Sequence, residues 1–356
     1  MSSEGATDSG ANANGPYFNL RVTEVIDETA DSRSIVMDVP AELEERFRYA
    51  SGQFLSFRVE VAGQRIVRCY SLASAPGIDA AHKVTIKRVV DGRASNWMND
   101  AVKPGDTLEV MPPNGVFVLR DVSTPLVLFS GGSGITPCIS ILKTALRNTD
   151  RPIKLVYANR DDRSIIFKDE LNALRSEYAE RLDIVHRLDD VHGYVEASLV
   201  VQEIGDRKDA DFYICGPGPF MDVVEEGLSS LNIAADQINI ERFESPDTPS
   251  TTDAAPVAEG DGIVVTIALD GTDTDITLGE GETFLAGARR VGLEPPFACE
   301  EAYCGCCMAK VTEGEADMAM NDGGIDQRQI DEGWVLTCQG VPKAGSSGKL
   351  RVEYPD

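Results

Sequence analysis

The chain has 356 residues, 42% of them hydrophobic, which is enough for two or three globular domains. It carries 33 Lys and Arg residues against 59 Asp and Glu residues, a formal net charge of −26. This charge argues against nucleic acids and anionic membranes as partners, because both are negatively charged. No apolar run approaches the ~18 residues that span a bilayer. Residues 1–15 lack the basic region and apolar core of a secretory signal, and we expect a disordered tail there.

Residues 16–120 consist of short β segments separated by Gly, Pro and Asn turns. The predicted strands are 18–25, 34–39, 53–59, 64–67, 83–90 and 107–110. Many short strands with regular turns indicate an antiparallel β-barrel.

Residues 121–245 show a different pattern, in which apolar strand-like segments alternate with segments of helical periodicity. The predicted strands are 126–129, 153–157, 182–186 and 211–215, and the predicted helices are 135–146, 167–178 and 219–231. This alternation predicts an α/β domain with a parallel sheet. Residues 246–260, rich in Pro, Ser, Thr, Asp and Ala, then predict a flexible linker.

Residues 261–356 begin with predicted strands at 263–269 and 274–278 and a helix at 283–291. A cysteine-rich loop follows, with later strands predicted at 308–313 and 350–354. This order is that of a β-grasp, ferredoxin-like module. The fold expected for the whole chain is therefore multidomain, with a barrel, a parallel α/β domain and a β-grasp domain.

The cysteines of the last domain have a specific spacing. Cys299, Cys304 and Cys307 form C-x4-C-x2-C, and Cys338 follows at a distance. This is the plant-type spacing of a [2Fe–2S] cluster held by four thiolates. Gly305 suits such a loop because glycine accepts a positive φ. The alternatives are a zinc site or buried thiols, but structural zinc usually has paired C-x2-C or C…H ligands, and no His lies between Cys299 and Cys338.

The remaining cysteines fit no ligand set. Cys306 breaks the spacing if it is counted as a ligand, so we interpret it as a small residue that fills the loop. Cys69, Cys138 and Cys215 are scattered and are interpreted as buried thiols. No disulfide framework is indicated, which fits a reducing, cytoplasmic compartment.

Two glycine-rich segments follow predicted strands of the α/β domain. The first contains Gly131, Gly132, Ser133, Gly134 and Thr136, and the second contains Cys215, Gly216 and Pro217. Glycines let a backbone approach a pyrophosphate, and a helix N-terminus offers free N–H groups to it. Either segment alone could be a plain strand–helix turn, but ligands bind at the carboxyl ends of parallel strands. The pair therefore predicts a nucleotide site.

The barrel segment contains a second group of candidate binding residues. Arg68 offers a fork of donors to phosphate, Tyr70 a flat ring for stacking, and Ser71 a hydroxyl donor. Ser95 and Asn96 predict a helix N-cap directed at a phosphate. The alternatives are an ordinary strand with an exposed Arg and a capped helix without a ligand.

Taken in this order, the motifs resemble the ferredoxin–NADP reductase superfamily, in particular oxygenase reductases with a C-terminal ferredoxin domain. The resemblance extends from residue 17 to residue 356 and implies FAD, a nicotinamide nucleotide and a [2Fe–2S] cluster. By this resemblance, FAD is bound by Arg68, Tyr70, Ser71, Lys87, Ser95 and Asn96. The nucleotide is bound by Gly131, Gly132, Ser133, Gly134, Thr136, Cys215, Gly216 and Pro217. The cluster ligands are Cys299, Cys304, Cys307 and Cys338.

The resemblance also implies a function. Electrons would pass from NADH through FAD and the cluster to a terminal oxygenase, with Ser71 near flavin N5 and Cys215 beside the nicotinamide. The likeness is greatest to reductase components of the Rieske-type 3-ketosteroid 9α-hydroxylases, and phenylacetyl-CoA epoxidase reductases are the alternative. A flavin NADH oxidase and a redox sensor are the other classes considered.

Three points stay open at the level of sequence. Arg160 and Arg163 favour the 2′-phosphate of NADPH, whereas Asp161 and Asp162 oppose it, and the resemblance favours NADH. Glu244 could approach the flavin, but a salt-bridge role at the domain end is the preferred interpretation. The oligomeric state is not assigned.

Overall fold

A computed structural model describes residues 17–243, 262–293, 295–297, 300, 302, 305–321, 324–325, 327–344 and 349–355. The predicted tail 1–15, the predicted linker 246–260, Glu244 and the predicted ligands Cys299 and Cys304 lie outside these residues.

The first sheet is antiparallel and has six strands. Its members are β1 (Phe18–Thr29), β2 (Ser32–Asp38), β3 (Phe54–Val61), β4 (Gln64–Ser71), β5 (His82–Lys87) and β6 (Thr107–Val110). They pair in the order β4-β3-β6-β1-β2-β5. An isolated bridge between Leu72 and Val84 joins the two edge strands, so the sheet closes into the predicted barrel. Helix α1 (Arg93–Ala101) packs Ala94 and Met98 into the barrel core.

The second sheet is parallel and has five strands. Its strands are β7 (Leu126–Gly131), β8 (Ile153–Asn159), β9 (Leu182–Leu188), β10 (Asp211–Gly216) and β11 (Ile238–Arg242), in the order β11-β10-β7-β8-β9. The helices are α2 (Ile135–Asn148), α3 (Lys168–Glu177), α4 (Asp189–His192), α5 (Ala197–Ile204) and α6 (Gly218–Ser230). Two separate apolar clusters pack on the sheet, as a parallel sheet requires, since both of its faces are buried.

The third sheet contains strands from the C-terminal part of the chain. Its strands are β12 (Ile263–Leu269), β13 (Thr272–Leu278), β14 (Met308–Glu313), β16 (Trp334–Leu336) and β18 (Leu350–Glu353), in the order β13-β12-β18-β14-β16. A small second sheet pairs β15 (Ala316–Met318) with β17 (Gly340–Pro342), and the helices are α7 (Phe284–Arg290) and α8 (Gln327–Asp331). The parallel pair β12–β18 lies between antiparallel neighbours, which is the predicted β-grasp arrangement. No helix among the described residues is long and apolar enough to cross a membrane.

The structure differs from the sequence prediction at one functional segment. β4 does not end at residue 67 but continues to Ser71, because its pairing with β3 extends to the Phe54–Ser71 pair. Arg68, Tyr70 and Ser71 therefore lie within a strand. The prediction also missed several elements that are short or lack a strong periodic pattern, namely β11, β16, the β15–β17 pair, α4, α5 and α8.

A buried ion pair fixes the chain segment that leads from the barrel to the parallel sheet. Asp211, at the start of β10, accepts from Arg151 at 3.2 Å, and both side chains are 2% exposed. Arg120, which follows the barrel, donates to the same carboxylate at 3.0 Å. The backbone N–H of Arg120 also donates to the Tyr213 hydroxyl at 2.9 Å, which gives the segment a second contact with β10. The carboxylate thus orients the barrel relative to β10.

Replacing Asp211 by Asn should destabilise the protein by about 3 kcal/mol, because the buried Arg151 would lose its counter-charge. The unfolding midpoint in a thermal melt is the measurement. Asp183→Asn is the matched control, since Asp183 pairs with Lys154 but its side chain is 55% exposed. That change should cost less than about 1 kcal/mol, and equal losses in the two variants would contradict the role given to Asp211.

Candidate functional site

A cavity of about 230 Å³ lies where the barrel meets the carboxyl edge of the parallel sheet. The predicted site residues that line it are Arg68, Tyr70, Ser71, Lys87, Ser95, Ser133, Thr136, Gly216 and Pro217. Arg93, Cys69 and Phe243 also line it and were not predicted. The cavity combines cationic side chains, a helix N-terminus and a tyrosine, a combination that fits an aromatic cofactor with a pyrophosphate.

The two glycine-rich strand ends lie against each other, because β7 and β10 are parallel neighbours. A Cβ at Gly134 would lie 2.1 Å from the Cys215 carbonyl oxygen, and one at Gly216 would lie 2.9 Å from the Gly131 nitrogen. Only glycine permits these approaches. Of the predicted nucleotide residues, Gly131, Gly132, Gly134 and Cys215 do not line the cavity, and Cys215 is fully buried.

Lys87 reaches the first glycine-rich turn from the barrel. Gly132 has a φ of +52°, and a Cβ there would lie 3.7 Å from the Lys87 Nζ. Burial lowers the pKa of Lys87, against the opposing charge of Asp31. Tyr157 donates to the Gly132 carbonyl at 2.9 Å and holds the turn in place. A cation is therefore positioned above backbone groups suited to phosphate.

The predicted N-cap at Ser95 and Asn96 differs from the structure. The N-cap of α1 is Gly92, and Ser95 and Asn96 lie in the first turn. The Ser95 hydroxyl accepts the Val89 N–H at 3.2 Å, and the Asn96 amide donates to the Val89 carbonyl at 3.2 Å. Both side chains therefore brace the preceding loop. The capping position is occupied by glycine because a Cβ there would lie 2.5 Å from the Ser95 hydroxyl.

A buried carboxyl group lies between two predicted catalytic residues. Ser71 donates to Glu241 Oε2 at 3.2 Å, and Glu241 pairs in register with Cys215 across β10 and β11. Burial raises the pKa of Glu241 to about 8, against the lowering effect of the Ser71 hydrogen bond. Burial, and then the Glu241 charge, also raise the pKa of Cys215 well above its usual value.

Sequence reasoning missed Glu241 and named Glu244, which lies outside the described residues. No local signal marked Glu241, because residues 238–241 alternate between apolar and polar, and Glu241 shares its face with Asn239 and not with the two isoleucines. Only the structure shows that Glu241 is 7% exposed whereas Ile240 is 39% exposed.

Two predicted cluster ligands lie close together in the C-terminal β-grasp module. Cys307 and Cys338 are both buried, and the pKa of Cys338 is lowered by a hydrogen bond from the Cys307 thiol, against burial. Thr337 donates through its N–H and its hydroxyl to the Cys307 carbonyl, at 3.0 and 2.9 Å. Tyr354 in turn donates to the Thr337 hydroxyl at 2.9 Å.

The loop around these thiols has the backbone that such a site needs. Glu300, Ala302 and Gly305 have positive φ values of 56°, 62° and 71°, and the value for Gly305 was expected. A Cβ at Gly305 would lie 2.7 Å from the Gly324 carbonyl oxygen, so this position requires glycine. Adjacent buried thiols in a loop of this kind fit a thiolate-bound cluster.

Cys306 points away from these two thiols. Its Sγ lies 3.2 Å from the Ser56 hydroxyl and 3.3 Å from the Cys69 Sγ, both on the barrel. The interpretation of Cys306 as a residue that only fills its own loop is therefore incomplete, because it joins the cluster loop to the barrel. Cys138 is fully buried, as expected, whereas Cys69 is only partly buried.

The segment expected to select the nucleotide is paired within the protein. Arg160 donates to Asp31, in the β1–β2 turn of the barrel, at 2.7 Å. Asp161 accepts the N–H groups of Arg163 and Ser164, both at 2.9 Å. Asp162 forms an ion pair with Lys168 at 2.6 Å. Arg160 is therefore partly neutralised, and the Asp161 carboxylate caps a short 3₁₀ turn.

The Glu241 proton predicts a pH dependence of stability. Between pH 4.5, the ordinary pKa of glutamate, and about pH 8, the folded protein holds this proton and the unfolded chain does not. The raised pKa therefore stabilises the folded protein fully below pH 4.5, and this stabilisation is lost as the pH rises through 8. Raising the pH from 6 to 8.5 should lower the unfolding midpoint of the native protein by several degrees more than that of Glu241→Gln, which has no such proton.

The control for this measurement is Glu226→Gln, which replaces an exposed glutamate. Its midpoint should follow that of the native protein at both pH values. A native protein and a Glu241→Gln variant with parallel pH profiles would show that Glu241 does not titrate in this range.

Comparison with known proteins supplies the family. A model of oxidoreductase FAD-binding domains matches residues 19–119. A model of oxidoreductase NAD-binding domains matches residues 128–226, and a model of 2Fe–2S cluster binding domains matches residues 267–343. These three matches agree with the barrel, the parallel sheet and the β-grasp module.

Relatives match over nearly the whole chain. The ferredoxin reductase component of 3-ketosteroid-9-alpha-monooxygenase from Rhodococcus rhodochrous is 41% identical over 342 residues, covering 94% of this chain and 96% of the relative. A component of 1,2-phenylacetyl-CoA epoxidase from Escherichia coli is 32% identical over 344 residues, covering 92% and 95%. The solved structure of phthalate dioxygenase reductase has a TM-score of 0.59 at 22% identity, covers 95% of this chain and 98% of that one, and shares its fold.

The chain thus has the FAD-binding, NAD-binding and [2Fe–2S] domains of an electron-transfer oxidoreductase. It belongs to the family of oxygenase reductases that includes the ferredoxin reductase component of 3-ketosteroid-9-alpha-monooxygenase.

Proposed function

We propose that this reductase takes electrons from NADH and delivers them to a terminal oxygenase of the Rieske-type 3-ketosteroid 9α-hydroxylase class. The observation that carries the proposal is that one barrel strand takes part in both candidate redox sites. β4 contributes Arg68, Cys69, Tyr70 and Ser71 to the cavity, and Cys69 also contacts the loop of Cys307 through Cys306.

This arrangement suits the chemistry of the cofactors. Bound FAD would supply the chemistry that links a two-electron hydride donor to a one-electron cluster. The chain's own residues bind and orient these groups. For domain limits we propose 16–120, 121–245 and 261–356.

The residues of the cavity would bind FAD in distinct ways. Arg68 and Lys87 supply positive charge for the phosphates, and the first turn of α1 supplies free N–H groups. Tyr70 would stack on the isoalloxazine ring. Ser95 and Asn96 would act indirectly, because they hold the loop before α1 in place.

The nicotinamide would enter over the glycine-rich strand ends, with Cys215 beside it. Ser71 lines the cavity here, and Glu241 lies behind it as its hydrogen-bond acceptor. Because the pKa of Glu241 is raised to about 8, the carboxyl group is protonated at neutral pH. A neutral acid there adds no negative charge behind Ser71 and keeps a proton within one hydrogen bond of the Ser71 hydroxyl.

The four cluster ligands would be Cys299, Cys304, Cys307 and Cys338, as the spacing predicts. Cys307 and Cys338 are adjacent and buried, which supports the two described members of the set. The direction of Cys306 toward the barrel supports its exclusion from the set.

The choice of partner rests on relative similarity. Identity is 41% to the steroid-monooxygenase reductase and 32% to the phenylacetyl-CoA epoxidase component, which is the second candidate. The nucleotide cleft argues against a sensor, which needs no such site. We place the protein in the cytoplasm, where NADH is available.

The proposed electron route can be tested by removing the [2Fe–2S] domain. A protein truncated after residue 243 should keep FAD and NADH–ferricyanide activity, because the barrel and the parallel sheet are retained. It should lose NADH-driven turnover of a Rieske-type 3-ketosteroid 9α-hydroxylase at least tenfold. Retention of that turnover would mean that the cluster is not on the path, and turnover only with a di-iron epoxidase would select the second candidate.

Single substitutions in the full-length protein distinguish the cluster ligands from Cys306, which lies beside one of them in sequence. Cys338→Ser and Cys307→Ser should each lose most of the bound iron, because each removes one of four thiolates. Cys306→Ser should keep about two irons per chain and serves as the matched control. Iron content and the visible spectrum are the measurements, and loss of iron in Cys306→Ser with retention in Cys307→Ser would overturn the ligand assignment.

Nucleotide preference gives a further expectation. NADH should exceed NADPH in kcat/KM, and changing both Asp161 and Asp162 to Asn should narrow the difference by weakening repulsion of the 2′-phosphate. Asn is chosen because it can still cap the 3₁₀ turn that Asp161 caps now. Asp169→Asn, an exposed change on α3, should leave the ratio unchanged. A native preference for NADPH would contradict this interpretation.

A further inference from the structure

Two cysteines from different modules meet at the contact between the barrel and the cluster loop. The Sγ atoms of Cys69 and Cys306 are 3.3 Å apart, although the residues are 237 positions apart in sequence. The Ser56 hydroxyl lies 3.3 Å from the first sulfur and 3.2 Å from the second. Ser56 faces Cys69 because the two residues are paired across β3 and β4.

The surroundings keep this pair in place. Cys306 is 4% exposed and packs in an apolar cluster with Tyr17, Phe54 and Val67 of the barrel. The residue before it is held in turn, since Gly305 lies against the Gly324 carbonyl and the Asn114 amide donates to that carbonyl at 3.5 Å. The sulfur contact is therefore part of a packed junction and not of a mobile surface.

Each of the two cysteines borders a cavity. Cys69 is partly exposed and lines the cofactor cavity, whereas Cys306 lines a separate cavity of about 750 Å³ between the barrel and the β-grasp module. Neither cysteine belongs to the predicted cluster ligands, so oxidation of this pair would not remove a thiolate from the cluster.

We propose that Cys69 and Cys306 are an oxidisable pair that forms a disulfide between the barrel and the cluster loop. The oxidant is hydrogen peroxide. The Cys69 thiolate, formed by loss of the thiol proton, attacks one peroxide oxygen and breaks the O–O bond. The leaving hydroxide takes up that proton, which gives a sulfenic acid and one water. The Cys306 thiol then attacks that sulfur, an S–S bond forms, and a second water leaves. In sum, two thiols lose two electrons and two protons, and one peroxide becomes two waters.

The geometry is close to what the bond requires. An S–S bond is about 2.05 Å long, so the two sulfurs must approach by roughly 1.3 Å from their contact distance of 3.3 Å. The product would tether the β-grasp module to β4 at the residue next to Cys307. A dithiol reductant would reverse the reaction by exchange.

Mass spectrometry of the full-length holoprotein tests this proposal. The protein is exposed to a small molar excess of hydrogen peroxide, quenched with acid and N-ethylmaleimide, and digested with trypsin. We expect the tryptic peptide 69–83 to be joined to peptide 291–310, with fragmentation placing the link at Cys306. Dithiothreitol before quenching should abolish the joined species.

Two variants and one internal reference make the result specific. Cys306→Ser and Cys69→Ser should each reduce the joined peptides at least tenfold, with iron and flavin contents measured to confirm that both proteins are loaded. The fully buried Cys138 should remain an unlinked thiol in every sample.

A second measurement avoids peptide analysis. With a protease site inserted between residues 246 and 260, the two cleaved parts of oxidised protein should run together on a non-reducing gel and apart after reduction. A link from Cys69 to Cys299, Cys304 or Cys307 that persists in Cys306→Ser would overturn the proposal. So would oxidation that consumes thiols and iron without producing the joined peptide.

Discussion

The contact between Ser71 and Glu241 is the constraint on which the cofactor site depends. It joins the last residue of β4 to the sheet-edge strand β11 across 170 positions of sequence, at 3.2 Å. A carboxyl group this deeply buried is held in its neutral form, since an isolated charge there would be costly. The barrel and the parallel sheet must therefore meet at this point in one orientation. The same orientation places Lys87 above the turn at Gly132.

β4 takes part in both candidate redox sites. Arg68, Cys69, Tyr70 and Ser71 all line the cofactor cavity, and Cys69 also contacts Ser56 and the cluster loop. The register of β3 and β4 sets the second contact, since it pairs Ser56 with Cys69. A shift of one residue would turn the Cys69 side chain to the other face of the sheet. One strand thus carries the predicted flavin residues and also contacts the cluster loop.

The barrel also contributes to the nucleotide side of the site. Asp31, in the turn between β1 and β2, pairs with Arg160 from the end of β8. Burial raises the pKa of Asp31, but the Thr29 hydrogen bond and the charges of Lys87 and Arg160 lower it by more. Asp31 therefore stays ionised beside these two cations, one from the barrel and one from the end of β8.

The sequence by itself determined the order of the elements, the three fold types, a nucleotide site and a cluster site. These follow from local information: hydrophobic periodicity, glycines at strand ends and the spacing of Cys299, Cys304 and Cys307. FAD was implied only by the resemblance to the reductase superfamily. Most strands and helices of the structure lie within a few residues of their predicted bounds. The extension of β4 to Ser71 was missed because it depends on pairing with β3.

Only the tertiary structure decided which side chains meet across modules. A hydrophobic or polar pattern reports that a residue is buried, but not which distant residue it will contact. Glu241 therefore looked like one acidic residue among many until Ser71 was placed against it. Cys306 looked like a loop residue until the barrel brought Ser56 and Cys69 to its sulfur, because such contacts depend on packing between modules that no local pattern encodes.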